Sequence, residues 1–165
     1  MAFQGQILEG GYTRLLVSAP PAGLKAAHLA LVEAITFPCN FRYLRLTDRL
    51  HGQLPKPESY AAVNISKERM LQALDAFSSL FYWDGRNQIW IQGRMEEKIV
   101  LDELGMIYVY PDDFSFRDAL SGIGWVEANH ESMADRDYVR VNFLSEADSQ
   151  EAAAFQALGM IRWDG

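Results

Sequence analysis

Apolar and polar positions alternate with a period of two in several short stretches of this chain, and each such stretch predicts a strand. GYTRLLVSA turns Leu15 and Val17 one way and Tyr12 and Arg14 the other, so residues 12–19 read as a strand following a Glu9-Gly10-Gly11 turn. The same period marks FRYLRLT (41–47), YAAVNI (60–65), QIWIQ (88–92) and DYVRVNFL (137–144). KIVLDELGMIYVYP predicts a hairpin bent at Leu104-Gly105 and closed by Pro111. FYW, DGRN and QIWIQ predict a second hairpin, because Asp-Gly supplies the positive φ of a tight turn. HGQLPKPE, with its Gly and two Pro residues, reads as a loop.

Four segments carry helical spacing instead. Leu24, Ala27, Leu31 and Ile35 make a stripe over 22–35, with His28 on its apolar side. Ser66 is placed to cap a second helix, with Glu68 in its first turn and Leu71, Leu74 and Phe77 or Ser78 along the stripe. PDDFSFRDALSGIG starts a short third helix near Asp112 or Asp113 that buries Phe116, Leu120 and Ile123. SEADSQEAAAFQAL gives a fourth, with Ser145 as its cap and Gly159 at its C-terminal end. The expected architecture is α+β: one domain over residues 1–165, a largely antiparallel sheet with about four amphipathic helices packed on it.

Alternation assigns Trp90 to the side of Gln88 and Gln92, which would normally face water. Tyr108 and Tyr110 stand opposite Ile107 and Val109, and Tyr138, Arg140 and Asn142 opposite Val139, Val141 and Phe143; Tyr43 and Arg45 share a side of their strand. In a common sheet these strands would make one aliphatic face and one rich in Tyr, Trp and Arg. Two arrangements satisfy that pattern. Either helices cover both faces and the rings form a second core layer, or helices cover only the aliphatic face and the rings form a recognition surface.

Composition narrows the classes. A chain of 165 residues with 49% hydrophobic and 22% charged residues suits an ordinary globule. One cysteine, Cys39, excludes an internal disulfide, and MAFQGQILEGG lacks the pattern of a secretion signal, so a cytoplasmic location is expected. The longest apolar run, AAHLALVEAI, is too short to span a bilayer. The net charge of −7 is divided unevenly. Residues 1–95 hold 10 of the 15 basic and 7 of the 22 acidic residues, and residues 96–165 hold the other 5 and 15. An acidic second half disfavours nucleic acid, even though FRYLRLTDRLHG interleaves Arg42, Arg45 and Arg49 with Phe41 and Tyr43, and it favours a basic protein partner.

Catalytic signals are sparse. NHESMADRD gathers His130, Glu131, Asp135 and Asp137, residue types that bind divalent metals or share acid–base work, yet their spacing matches no compact metal motif. His28 fits a core histidine, His51 lies in the Pro-rich loop, Cys39 fits a small buried hydrophobe, and Asp112 and Asp113 fit a helix start. Glycine-rich phosphate loops, nucleophile elbows and paired C-x-x-C motifs are absent from the sequence. The expectation is a protein-binding module of the inhibitor or immunity, chaperone or adaptor type that needs no cofactor. Trp90, Tyr108, Tyr110 and Tyr138 would be its anchors, Arg140 would stand beside them, and Asp112, Asp113, Asp135 and Asp137 would meet a basic partner. Self-association would bury the same face. The alternative is an enzyme or small-ligand-binding protein with the rings lining a pocket and His130, Asp135 and Asp137 supplying the chemistry.

Overall fold

The computed structural model describes residues 1–48, 52–128 and 143–163. Among the described residues, nine strands join in one sheet: β1 (Ala2–Ile7), β2 (Thr13–Ser18), β3 (Cys39–Asp48), β4 (Gly52–Ile65), β5 (Asn87–Gln92), β6 (Lys98–Leu101), β7 (Met106–Tyr110), β8 (Val126–Glu127) and β9 (Ile161–Arg162). Their spatial order is β8-β1-β2-β7-β6-β5-β3-β4-β9, and every pairing except β1 with β8 is antiparallel. The helices are α1 (Pro21–Ala34), α2 (Lys67–Ala76), α3 (Phe114–Gly122) and α4 (Ser145–Leu158). The fold class is therefore α+β with a mostly antiparallel sheet.

The four described α-helices lie on the same face. Leu24 and Leu31 of α1, Met70 and Leu74 of α2, Phe116 and Leu120 of α3, and Ala154 and Leu158 of α4 share one buried cluster with Leu15, Val17, Ile89, Ile91, Ile99, Leu101, Ile107 and Val109. Each buried Leu, Ile or Phe contributes about 1.5–3 kcal/mol relative to exposure, so this face holds the sheet and helices together. No described α-helix packs on the other face, where the 3-10 turn Glu9–Gly11 borders the Tyr12 end.

Several local expectations are corrected. HGQLPKPE is not a loop, for β4 begins at Gly52 and runs through it. Register explains this: Arg45 pairs with Glu58 but Thr47 with Gln53, so residues 54–57 bulge out of the ladder and Pro55 and Pro57 need not donate to it. FYW forms no hairpin strand. Phe77 N–H and Phe81 N–H donate to Ala73 and Phe77 carbonyls, continuing α2 into a π-helical turn, Ser79–Trp83, that buries Leu80, Phe81 and Tyr82. The Asp84 carboxylate then closes on Arg86, and β5 leaves that corner to pair with β3 and β6 instead. Ile123 is exposed, because α3 ends just before it. Ser145 is not the cap of α4: Leu144 holds that position, and Asp84 accepts its N–H. In contrast, Ser66 caps α2 by accepting the Arg69 N–H, and Gly159 ends α4 in the left-handed conformation (φ 65°). The strand read at 137–144 lies outside the described residues, apart from Phe143 and Leu144, which lead into α4 without joining the sheet.

Candidate functional site

The ladders set the geometry of the helix-free face. Leu16 pairs with Tyr108, Tyr108 with Val100, Val100 with Trp90, Trp90 with Arg42, Arg42 with Ala61 and Ala61 with Ile161. Directly opposed residues point to the same side of a sheet, so these seven form one row across seven strands. Tyr110, Lys98 and Gln92 form part of the adjoining row. The structure thus brings Trp90, Tyr108 and Tyr110 together on one face.

Three cations lie over these rings. The Arg14 guanidinium is 5.0 Å from the Tyr108 ring centre, Lys98 Nζ is 5.7 Å from that of Trp90, and the Arg42 guanidinium is 5.2 Å from Trp90 and 4.6 Å from Trp163. Arg14 also donates to Gln6 Oε1 (2.8 Å) and Arg42 to Ser59 Oγ (2.8 Å), but none of the three forms an ion pair among the described residues. The Trp90 indole N–H is buried and has no acceptor among the described residues.

Two hollows flank Trp90 and Lys98, which line both. One of about 550 Å³ runs toward β9 between Trp90 and Trp163, walled by Arg42, Ala61, Val63 and Ile161. The other, about 730 Å³, runs toward Tyr12 past Val100, Tyr108 and Tyr110, with Glu9 and Glu96 among its lining. At the far end of the Tyr108 strand, Asp102 accepts the Tyr108 hydroxyl (3.2 Å) and the Met106 and Leu104 N–H groups (2.8 and 3.0 Å). Burial pushes its carboxyl up to about 6, against the pull of those hydrogen bonds.

Other sequence candidates are placed elsewhere. Asp112 lies beside Gly5 on the helix-bearing side, held by Arg117 through two hydrogen bonds (2.7 and 2.6 Å). Asp113 caps α3, accepting the Ser115 N–H at 2.9 Å. Neither joins the Trp90 face. Tyr43 and Arg45 also turn toward the helices: Tyr43 donates to Glu151 (2.7 Å), and Arg45 bridges Glu151 and Glu58. Tyr138, Arg140, His130, Asp135, Asp137 and His51 lie outside the described residues.

Among the described residues, no group of three His, Cys, Asp or Glu is placed to hold a metal. His28 is fully buried, its Nδ1 2.9 Å from the Tyr82 hydroxyl, and burial pulls its pKa down to about 3. Burial likewise pushes the Cys39 thiol up to about 11, so it is not a ready nucleophile. Sequence reasoning missed Arg42 and Trp163 as members of the site. Arg42 was obscured because the buried side of FRYLRLT cannot be told from alternation alone, and Trp163 because a two-residue strand leaves no periodic signal. The chain matches no known protein family, no curated protein and no solved structure. No described helix is long and apolar enough to cross a membrane.

Proposed function

We propose that this protein is a binding module that docks a segment of another protein on the Trp90 face of its sheet. One observation carries this reading. A sheet whose other side is packed with the four described α-helices leaves a row from Tyr108 through Trp90 and Arg42 to Ile161 with no described α-helix upon it. Large rings and guanidinium groups dominate protein-binding hot spots because they bury much area for little lost rotamer freedom. Exposed apolar groups continue the patch, with Ile161 at 71%, Val63 at 67% and Trp163 at 47% exposure. An inhibitor, chaperone or adaptor role in the cytoplasm fits such a surface.

The partner's charge follows from the face rather than from the whole chain. Arg42 and Lys98 line its β9 half, where no described carboxylate stands, whereas Glu9 and Glu96 line the Tyr12 half and Asp112 and Asp113 lie off the face, so the field around Arg42 favours an acidic partner over the basic one that composition suggests. Capture from the native cell extract tests the docking reading with wild type, Trp90→Ala, Trp163→Ala and the helix-side control Asp75→Ala. The same partner should be retained by wild type and control and lost by both ring variants, with folding checked by circular dichroism. Equal capture by all four proteins would contradict the proposal.

A further inference from the structure

The two hollows share Trp90 and Lys98 as lining and follow one another across the sheet, a course termed the trench. From β9, where Trp163 stands, to β2, beside Tyr12, the sheet order gives six inter-strand steps. At about 4.8 Å per step the trench is roughly 29 Å long, the length of about nine residues of extended chain. A small molecule would fill only part of it.

Charge along the trench is polarised. Among the described residues the β9 hollow is lined by Arg42 and Lys98 and by no carboxylate, while the Tyr12 hollow shares Lys98 and adds Glu9 and Glu96. Neither Arg42 nor Lys98 has an ion-pair partner among the described residues, and both lie against the Trp90 ring, which keeps them at the trench surface. A cation already resting on an indole gives up less freedom when an anion arrives than one on a free side chain. Apolar walls at Ala61, Val63 and Ile161 add room for an aliphatic or aromatic side chain.

We propose that the trench takes an extended acidic peptide segment of a partner protein, its carboxylates beside Arg42 and Lys98 and an apolar side chain against Trp163 and Ile161. This rests on the reading of the face as a protein-docking surface. Single-stranded nucleic acid suits the trench less well. It would bring a phosphate with every nucleotide to Arg42 and Lys98 in the β9 hollow, and to Glu9 and Glu96 with Lys98 alone as cation in the lining of the other.

The test uses fluorescence anisotropy with labelled peptides of about nine residues, the span set by strand geometry. One alternates Glu with Phe, a second replaces every Glu by Gln, a third replaces every Glu by Lys, and a fourth probe is an oligothymidine. Wild type, an Arg42→Gln/Lys98→Gln double variant and Trp163→Ala are compared at low salt, each with its fold checked by circular dichroism. The acidic peptide should bind wild type at least about tenfold tighter than its Gln counterpart, a preference that vanishes in the double variant and weakens as salt rises. Trp163→Ala should weaken both peptides. Equal or tighter binding of the Gln or Lys peptide, with dependence on Trp163 retained, would overturn the acidic occupant and leave the docking face standing. Tighter binding of the oligothymidine, or no peptide binding at all, would also overturn it. Peptide binding indifferent to Trp163 and to the double variant would remove the docking face as well.

Discussion

The Arg42 guanidinium stands 5.2 Å from the centre of the Trp90 indole, directly across the β3–β5 ladder, on the face that no described helix covers. The next residue along β5, Ile91, points the other way into the helix-packed core and is fully buried. One strand therefore has two unlike sides, one sealed in the helix-packed core and one turned to the helix-free face.

That division has a measurable consequence for stability. Ile91→Ala should cost about 2–5 kcal/mol in urea unfolding, the usual loss for a large aliphatic side chain in a packed core. Trp163→Ala, which removes a half-exposed ring and one cation–π contact, should cost about 1 kcal/mol or less. A Trp163→Ala loss as large as that of Ile91→Ala would assign the ring to the core.

The two shifted groups His28 and Asp102 act on acid stability with opposite signs. Burial holds the Asp102 carboxyl at about 6, above its ordinary 3.8, so its contribution is complete below about pH 4 and lost as pH rises through 6. His28, held at about 3 instead of 6.5, contributes fully above about pH 6.5 and loses that contribution as pH falls toward 3. Between pH 4 and 6 the two slopes oppose each other. Relative to wild type, Asp102→Asn should become less stable on acidification across that window, and His28→Leu less stable on the return to pH 6. Urea midpoints at intervals from pH 4 to 7 read both differences, and parallel curves for all three proteins would contradict the account.

A buried ion pair fixes the corner from which β5 departs. The Asp84 carboxylate is bound by Arg86, which also donates to the Leu144 carbonyl (3.0 Å) and to Asp148 (2.8 Å) at the start of α4. Arg86→Met leaves the Asp84 charge buried without its cation, and a loss of about 3–5 kcal/mol is expected. Amide hydrogen exchange should show the first turn of α4 opening more often in that variant. Unchanged protection there would detach Arg86 from the anchoring of α4.

Two serines that look alike in sequence should behave differently. Ser66→Ala removes an acceptor for the Arg69 N–H and should cost about 1 kcal/mol. Ser145 is the first residue within α4 and its hydroxyl caps nothing, so Ser145→Ala should change stability by about 0.5 kcal/mol or less. Thermal or urea unfolding of the two variants separates the cases.

These serines also mark how far the sequence could be read. Period-two alternation identified the faces of β2, β5 and β7 correctly, since each strand has clear aliphatic positions on one side, and so Trp90, Tyr108 and Tyr110 were legible as a group. It was ambiguous for β3, where Phe41, Tyr43, Leu44 and Leu46 leave both sides partly apolar, so Arg42 stood out only as part of a basic–aromatic segment and not as a neighbour of Trp90. Local rules failed where tertiary contacts overrode them. A bulge accommodates Pro55 and Pro57 within β4, the buried Asp84–Arg86 pair turns an Asp-Gly hairpin signal into a corner, and the Asp84 carboxylate accepts the N–H of the residue before Ser145. Pairing between residues distant in the chain also decided the edge strands: β1 was missed although six of its residues pair with β2, and β8 and β9 have only two residues each.

Paramagnetic solvent relaxation of methyl groups addresses the central claim most directly, because Ile99 and Val100 are neighbours on β6 that face opposite sides of the sheet. With a soluble gadolinium chelate, the Val100 and Ile161 methyls should relax strongly while those of Ile99 and Ile91 stay protected. Equal protection of Val100 and Ile99 would mean that the Trp90 face is covered, and the docking surface argued from it would have no place on this protein.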